Sequence, residues 1–140
     1  MSKATVTETI DVNASPDKTW ALVGDFGGLA GWFPVVTKST VEGSGVGALR
    51  HLTMPDGNQL TERQQTRDDA ARFYEYVVVA GALPCTDYLS RLAVSPAGSG
   101  ARITWTAQFV PLKDAPVDAV AFITSIYQGG LAGAKAALEA

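Results

Sequence analysis

The hydrophobic pattern of this chain changes its period once, near residue 115. Before that point, apolar residues alternate with polar ones along short segments that turns rich in glycine and proline separate. Such alternation is typical of strands with one buried face. From Val117 to Leu138, apolar residues recur at helical spacing instead, which predicts one long and largely covered helix. The strands can cover a shared apolar face only with that helix, because every other helical segment is short.

The predicted strands form one early segment and a later run of six. The segments span residues 5–12, 35–42, 46–54, 58–66, 72–80, 87–95 and 101–110. After the first, Ser15 is a typical N-cap and Pro16 fits the first helical position, so a helix should begin there and end before Gly27. Residues 29–33 form a second short helix, which Pro34 closes. We therefore predict an α+β fold in which a seven-stranded, curved antiparallel sheet wraps around the C-terminal helix.

Two adjacent glycines, Gly129 and Gly130, stand in the middle of the predicted long helix. Each is less favourable there than alanine by about 1 kcal/mol. The pair therefore predicts either a bend in the helix or the close approach of another backbone.

A hairpin turn at residues 55–57 sets the register of the third and fourth strands. If Gly57 takes the left-handed position of a three-residue loop, Arg50 faces Glu62, and both lie on the more apolar side of the ribbon. A turn of two residues would shift the register by one and undo this pairing. A buried Arg–Glu pair is seldom a net source of stability, which favours a role towards a ligand. The alternative is an ordinary cross-strand ion pair on the solvent face, and the pattern leaves both open.

Aromatic residues follow on the later strands. For Tyr76 and Tyr88 we favour a position in a pocket, because a buried phenol needs a hydrogen-bond partner. For Trp105 the pattern by itself favours a plain aromatic core. Tyrosines beside Arg50 and Glu62 would make an aromatic pocket with a few polar anchors, as small-molecule sites usually have.

Composition and charge narrow the function classes. A chain of 140 residues has the size of one domain, so we expect a single domain over residues 1–140. The net charge of −3, with scattered basic residues, argues against nucleic acid. The apolar stretches are too short for a membrane span, and residues 1–6 do not suggest a secretory signal. The one cysteine, Cys85, rules out an internal disulfide and fits the cytoplasm, and one histidine beside it makes a zinc site unexpected.

Short motifs at residues 15–20, 47–50, 54–57, 60–63, 68–69, 81–84 and 87–88 carry a family resemblance. Their order and spacing resemble the START-like, or SRPBCC, superfamily, the helix-grip fold of polyketide cyclases and major pollen allergens. The middle third is similar to the polyketide cyclase/dehydrase branch and to plant abscisic-acid receptors. The resemblance implies a cavity between the sheet and the long helix, with Glu62 and Tyr88 at polar pocket positions. Pro34 stands where the receptors carry a carboxylate-binding lysine, which argues against hormone-type sensing.

Two functions follow as expectations. The first is the binding of a small hydrophobic, aromatic or polyketide-like molecule, with a non-catalytic lipid or quinone carrier as the alternative. The second is a metal-free cyclase, aromatase or lyase, in which Glu62 moves protons and Arg50 holds a carbonyl or enolate oxygen. We expect no cofactor, and a small hydrophobic ligand as the partner of a monomer or homodimer. The predicted ligand-binding residues are Trp32, Leu52, Met54, Gln64, Tyr76, Val78, Leu83, Tyr88, Trp105, Phe122 and Tyr127.

Overall fold

One curved, seven-stranded antiparallel sheet forms the body of the fold in the computed structural model, which describes residues 2–140. The strands lie side by side in the order β1-β7-β6-β5-β4-β3-β2, so only the pairing of β1 with β7 joins distant parts of the chain. Their bounds are Ala4–Val12 (β1), Lys38–Glu42 (β2), Leu49–Thr53 (β3), Gln59–Asp68 (β4), Phe73–Ala80 (β5), Cys85–Ala97 (β6) and Gly100–Pro111 (β7). The predicted α+β architecture is confirmed.

The first helix begins where its capping residue predicts. Helix α1 spans Pro16–Val23, and the Ser15 side chain accepts a hydrogen bond from the Lys18 backbone N–H at 3.1 Å. The second short helix is a single 3₁₀ turn at Leu29–Gly31. Helix α2 spans Ala119–Leu138 and packs its buried face against the sheet. None of the helices within residues 2–140 combines the length and apolarity needed to cross a bilayer.

A glycine-rich loop delays the start of the third strand relative to the prediction, whereas the second strand ends at Glu42 as predicted but begins at Lys38, after a turn at residues 34–35. Gly43, Gly45 and Gly47 all have positive φ angles, of 80°, 65° and 92°, which a regular strand cannot include. Strand β3 therefore begins at Leu49, and Val46 in the loop is 65% exposed. The alternation of apolar residues through 46–48 predicts a strand, but the positive φ angles of the glycines exclude a regular strand there.

Close packing explains two of the three glycines of α2, Gly130 and Gly133, and the helix continues through all three without a break. A Cβ atom on Gly130 would lie 2.8 Å from Cζ3 of Trp105, so the ring leaves no room for one. The backbone approach occurs one turn later, where a Cβ on Gly133 would collide with the carbonyl oxygen of Trp32. Gly129 has open space around it and is not required by packing. Neither predicted alternative holds at the pair itself, because the helix is unbroken there and only side chains approach Gly130; the other backbone comes close at Gly133 instead.

Candidate ligand-binding site

The hairpin between β3 and β4 turns Arg50 and Glu62 into the interior. Gly57 has a φ of 88°, and Arg50 lies opposite Glu62 in the register of the two strands. Arg50 is 0% exposed and Glu62 is 5% exposed. The predicted register and the predicted inward direction of both side chains are confirmed.

Protein groups enclose the Arg50 guanidinium on several sides. Its Nε donates to Oε1 of Glu62 at 2.8 Å, and its Nη1 donates to the Phe26 carbonyl and to the Tyr74 hydroxyl, both at 3.1 Å. The Cζ atom lies 4.1 Å from the ring centroid of Phe26 and 4.4 Å from that of Tyr76. These rings supply cation–π contacts to a charge that has left water. Only Nη2 has no acceptor within residues 2–140.

Burial and charge act in opposite directions on the pair. Burial raises the pKa of the Glu62 carboxyl above its usual range, and the Arg50 charge offsets part of that shift. Burial also tends to lower the pKa of Arg50, but the nearby Tyr74 and Glu62 groups raise it by more, so the guanidinium stays protonated. Glu62 is therefore the member of the pair that is set up to exchange a proton.

An internal cavity of about 50 Å³ lies between the sheet and α2. Its walls are mostly apolar, and Glu62 is the only charged residue of the described chain that lines it. Three tyrosines also line it: Tyr76 and Tyr88 from the sheet, and Tyr127 from α2. The cavity thus has apolar walls with a carboxylate and phenol groups among them.

The three tyrosine hydroxyls belong to one hydrogen-bonded cluster. Tyr127 bonds both to the Tyr88 hydroxyl and, at 2.6 Å, to Oγ of Ser90. The Tyr76 and Tyr88 hydroxyls lie 3.5 Å apart, and the Trp105 indole N–H donates to Tyr76 at 3.2 Å and to Ser90 at 3.0 Å. Burial raises the pKa of Tyr76 to about 12 and those of Tyr88 and Tyr127 well above their ordinary value, so all three remain protonated near neutral pH.

A wider hollow of about 450 Å³, here called the vestibule, leads from the surface towards the cavity. It lies between the hairpin turn at residues 55–59 and the loop that carries Leu83. The vestibule and the cavity share five lining residues, Val35, Met54, Leu60, Leu83 and Ile126. These shared side chains form the apolar junction between the open vestibule and the enclosed cavity, which contains Glu62 and the three tyrosines.

A family model described as polyketide cyclase/dehydrase and lipid transport matches residues 3–139. The chain belongs to this family. Membership agrees with the helix-grip fold and with a fold that binds hydrophobic ligands. A search of curated proteins finds no match.

Solved structures of similar proteins support the family assignment. The protein XoxI from Bacillus cereus is 30% identical, with a TM-score of 0.89 over 97% of this chain and 96% of its own. A protein from Thermobifida fusca is also 30% identical, with a TM-score of 0.78 over 96% of this chain and 89% of its own. Ara h 8.0201 is 20% identical, covers 99% of both chains and has a TM-score of 0.79, which shows a shared fold.

Eight of the residues predicted from the sequence line the cavity of this family member. They come from β3 to β7, from two loops and from α2, so the fold brings together positions that are far apart in the chain. They are Leu52, Met54, Glu62, Tyr76, Leu83, Tyr88, Trp105 and Tyr127.

Five predicted site residues do not line the cavity, and the contacts of each explain why. Arg50 sits behind Glu62 and among aromatic rings. Gln64 donates to the Gly45 carbonyl at 2.6 Å and accepts from Arg67, so it anchors the glycine-rich loop. Val78 packs against the core, and Trp32 stacks on the ring of Phe33, both outside the lining. Phe122, at 36% exposed, lines the vestibule instead.

The cavity also has lining residues that the sequence prediction missed. They are Leu29, Phe33, Val35, Val36, Leu60, Ile123 and Ile126. The two isoleucines lie on the apolar side of α2, and Leu60 has the inward parity of β4, so a stricter use of periodicity could have found them. In segment 29–36 only Leu29–Gly31 is helical, and the turns that follow it replace the start of the strand predicted from residue 35, so its period did not apply. Within residues 2–140, no three His, Cys, Asp or Glu side chains come close enough to hold a metal.

Proposed function

We propose that this family member binds a small hydrophobic, aromatic molecule between the sheet and α2. The observation that carries the proposal is the continuous apolar path from the vestibule, through the five shared side chains, to Glu62 and the tyrosine hydroxyls. Ligand sites are typically concave and mostly apolar, with a few polar groups that fix the orientation of the ligand. This path has that composition.

The volumes indicate how such a ligand is accommodated. The inner cavity of about 50 Å³ holds a few water molecules, whereas sites for drug-sized ligands measure about 300–1,000 Å³. A ligand must therefore occupy part of the vestibule and displace junction side chains such as Met54 and Leu83. Both are only partly buried, and the thioether of Met54 adapts readily to a new neighbour.

The shape of the cavity favours a compact aromatic ligand over the lipid carrier alternative. Trp105 and Tyr127 stack face to face, with ring centroids 4.2 Å apart, and both line the inner end. A flat ring can lie against this stacked pair and gain an aromatic contact that a long acyl chain does not offer.

A neutral fluorescent probe tests the binding proposal. N-phenyl-1-naphthylamine should bind with one-to-one saturation and a rise in fluorescence, because its emission increases in an apolar environment. Leu83→Trp should weaken this binding by about tenfold, because the larger side chain fills the junction and takes apolar contact area away from the probe. Val79→Trp, on the exposed part of β5, is the matched control and should bind as the unmodified protein does. Absence of saturable binding, or equal effects of both variants, would count against the site.

Proton transfer is the second candidate function, and one observation favours it. Glu62 lines the cavity, and burial raises the pKa of its carboxyl towards the range in which a general acid or base is effective. An enzyme of the cyclase or lyase type would use such a group to remove a proton next to a carbonyl.

Deuterium exchange tests this candidate without knowledge of the natural substrate. With 1-phenylbutane-1,3-dione in D₂O, the protein should accelerate exchange of the protons between the two carbonyls, followed by NMR. Glu62→Gln should slow the protein-dependent exchange by about a hundredfold, the usual minimum contribution of a positioned base. Glu42→Gln changes an exposed carboxylate in the same way and should leave the rate intact. Equal rates in both variants would rule out Glu62 as the base.

A further inference from the structure

The ion pair presents only its negative member to the cavity. Glu62 is among the lining residues and Arg50 is not. The guanidinium is fully buried, with aromatic rings 4.1 Å and 4.4 Å from its Cζ atom. Oε1 of Glu62 accepts from Arg50, whereas Oε2 accepts from no donor within residues 2–140. One carboxylate oxygen is thus left to accept a hydrogen bond from a ligand.

The hydroxyl cluster contains one more O–H donor than its own hydrogen bonds use. Tyr76, Tyr88, Tyr127 and Ser90 form a chain of three hydroxyl–hydroxyl contacts, and each contact uses one proton. One of the four hydroxyl protons therefore has no partner in the chain. Trp105 donates to the two ends, Tyr76 and Ser90, and so does not accept that proton. When Ser90 donates to Tyr127, Tyr127 to Tyr88 and Tyr88 to Tyr76, the unused proton lies on the Tyr76 hydroxyl, which lines the cavity and can donate to a ligand there.

We infer that the site takes a neutral molecule with a hydroxyl group, an alcohol or a phenol, on a small apolar body. This inference rests on the proposed ligand binding and adds the polar group that the ligand carries. A hydroxyl group can donate to Oε2 of Glu62 and accept from a tyrosine O–H at the same time. It is the smallest group that satisfies both free partners.

Other ligand groups fit less well. A carboxylate would place a second negative charge near Glu62 in a poorly solvated site. A ketone or an ether would leave Oε2 without a donor, and an ammonium group would leave the tyrosine O–H without an acceptor.

Three naphthalenes that differ in one substituent test the inference by titration calorimetry at pH 7. The neutral phenol 2-naphthol should bind about tenfold more tightly than 2-methoxynaphthalene, because only the phenol donates to the charged acceptor. The anion 2-naphthoate should bind more weakly than both. In Glu62→Gln the preference for the phenol should shrink severalfold, whereas the exposed control Glu42→Gln should keep the order of the unmodified protein.

The outcomes separate this inference from the proposal on which it rests. Equal affinities for 2-naphthol and 2-methoxynaphthalene, or tightest binding of 2-naphthoate, would overturn the inference and leave ligand binding standing. Failure of all three probes to bind folded protein would overturn both. The comparison of probes on the unmodified protein is decisive even if Glu62→Gln does not fold.

Discussion

Arg50→Met is expected to lower the free energy of unfolding by about 3–5 kcal/mol, the usual result of removing one partner of a buried ion pair. The substitution removes the charge that faces Glu62 at 2.8 Å and leaves the carboxylate at 5% exposure. It also removes the donor of the Phe26 carbonyl and of the Tyr74 hydroxyl. Urea unfolding followed by circular dichroism gives the measurement, with an unchanged m-value as the sign that the unfolded state is the same.

A second substitution identifies the source of that loss. When Glu62→Leu is added to Arg50→Met, no unpaired charge remains inside, and apolar replacements of a buried pair are often neutral or stabilising. The double variant should therefore recover most of the stability that the single variant loses. The Phe26 carbonyl and the Tyr74 hydroxyl still lack their donor, so recovery should stay incomplete.

An exposed ion pair of similar geometry supplies the control. Arg102 donates to Asp11 at 2.7 Å, but both side chains are at least half exposed. Arg102→Met should leave the unfolding midpoint nearly unchanged, because water replaces the lost partner. A loss in Arg50→Met no larger than in this control, or a double variant no more stable than the single one, would show that the buried charge is not the cause.

The hairpin shows why part of the site could be predicted from the sequence. Gly57 permits the positive φ that the three-residue turn needs, the turn fixes the register, and the register decides which side chains face inward. Each step is local in the chain, so the pairing of Arg50 with Glu62 follows without knowledge of the rest of the fold. The long helix was predictable for a similar reason, since its period is visible within its own sequence.

Long-range packing explains where the prediction fell short. That Arg50 lies behind Glu62 depends on Phe26, which was predicted within the first helix but lies in the loop after α1, since this helix already ends at Val23. Gln64 has the expected parity, but its amide is taken by the Gly45 carbonyl. The residues of segment 29–36 reach the cavity through an irregular path. The strand pattern predicts whether a side chain points inward. It does not predict which other side chain or backbone group that side chain contacts inside the protein.

Gly133 is the position where α2 meets another backbone, and this contact holds the helix against the segment that carries Trp32 and Pro34. A Cβ atom there would collide with the Trp32 carbonyl oxygen and lie 2.7 Å from Cδ of Pro34. Neither group can turn aside as a flexible side chain would. The helix itself must shift, and it carries Ile123, Ile126 and Tyr127 of the cavity wall.

Gly133→Ala is therefore expected to destabilise the protein by about 2–3 kcal/mol, the upper part of the range for overpacking, even though alanine is the better helix former. Gly129→Ala, one turn earlier in open space, is the matched control and should stabilise the protein by up to about 1 kcal/mol. Urea unfolding of the two variants measures both effects. Opposite signs would show that close packing, rather than helix propensity, maintains glycine at position 133. Stabilisation by both substitutions would mean that α2 does not depend on this contact, and the cavity wall would then need another support.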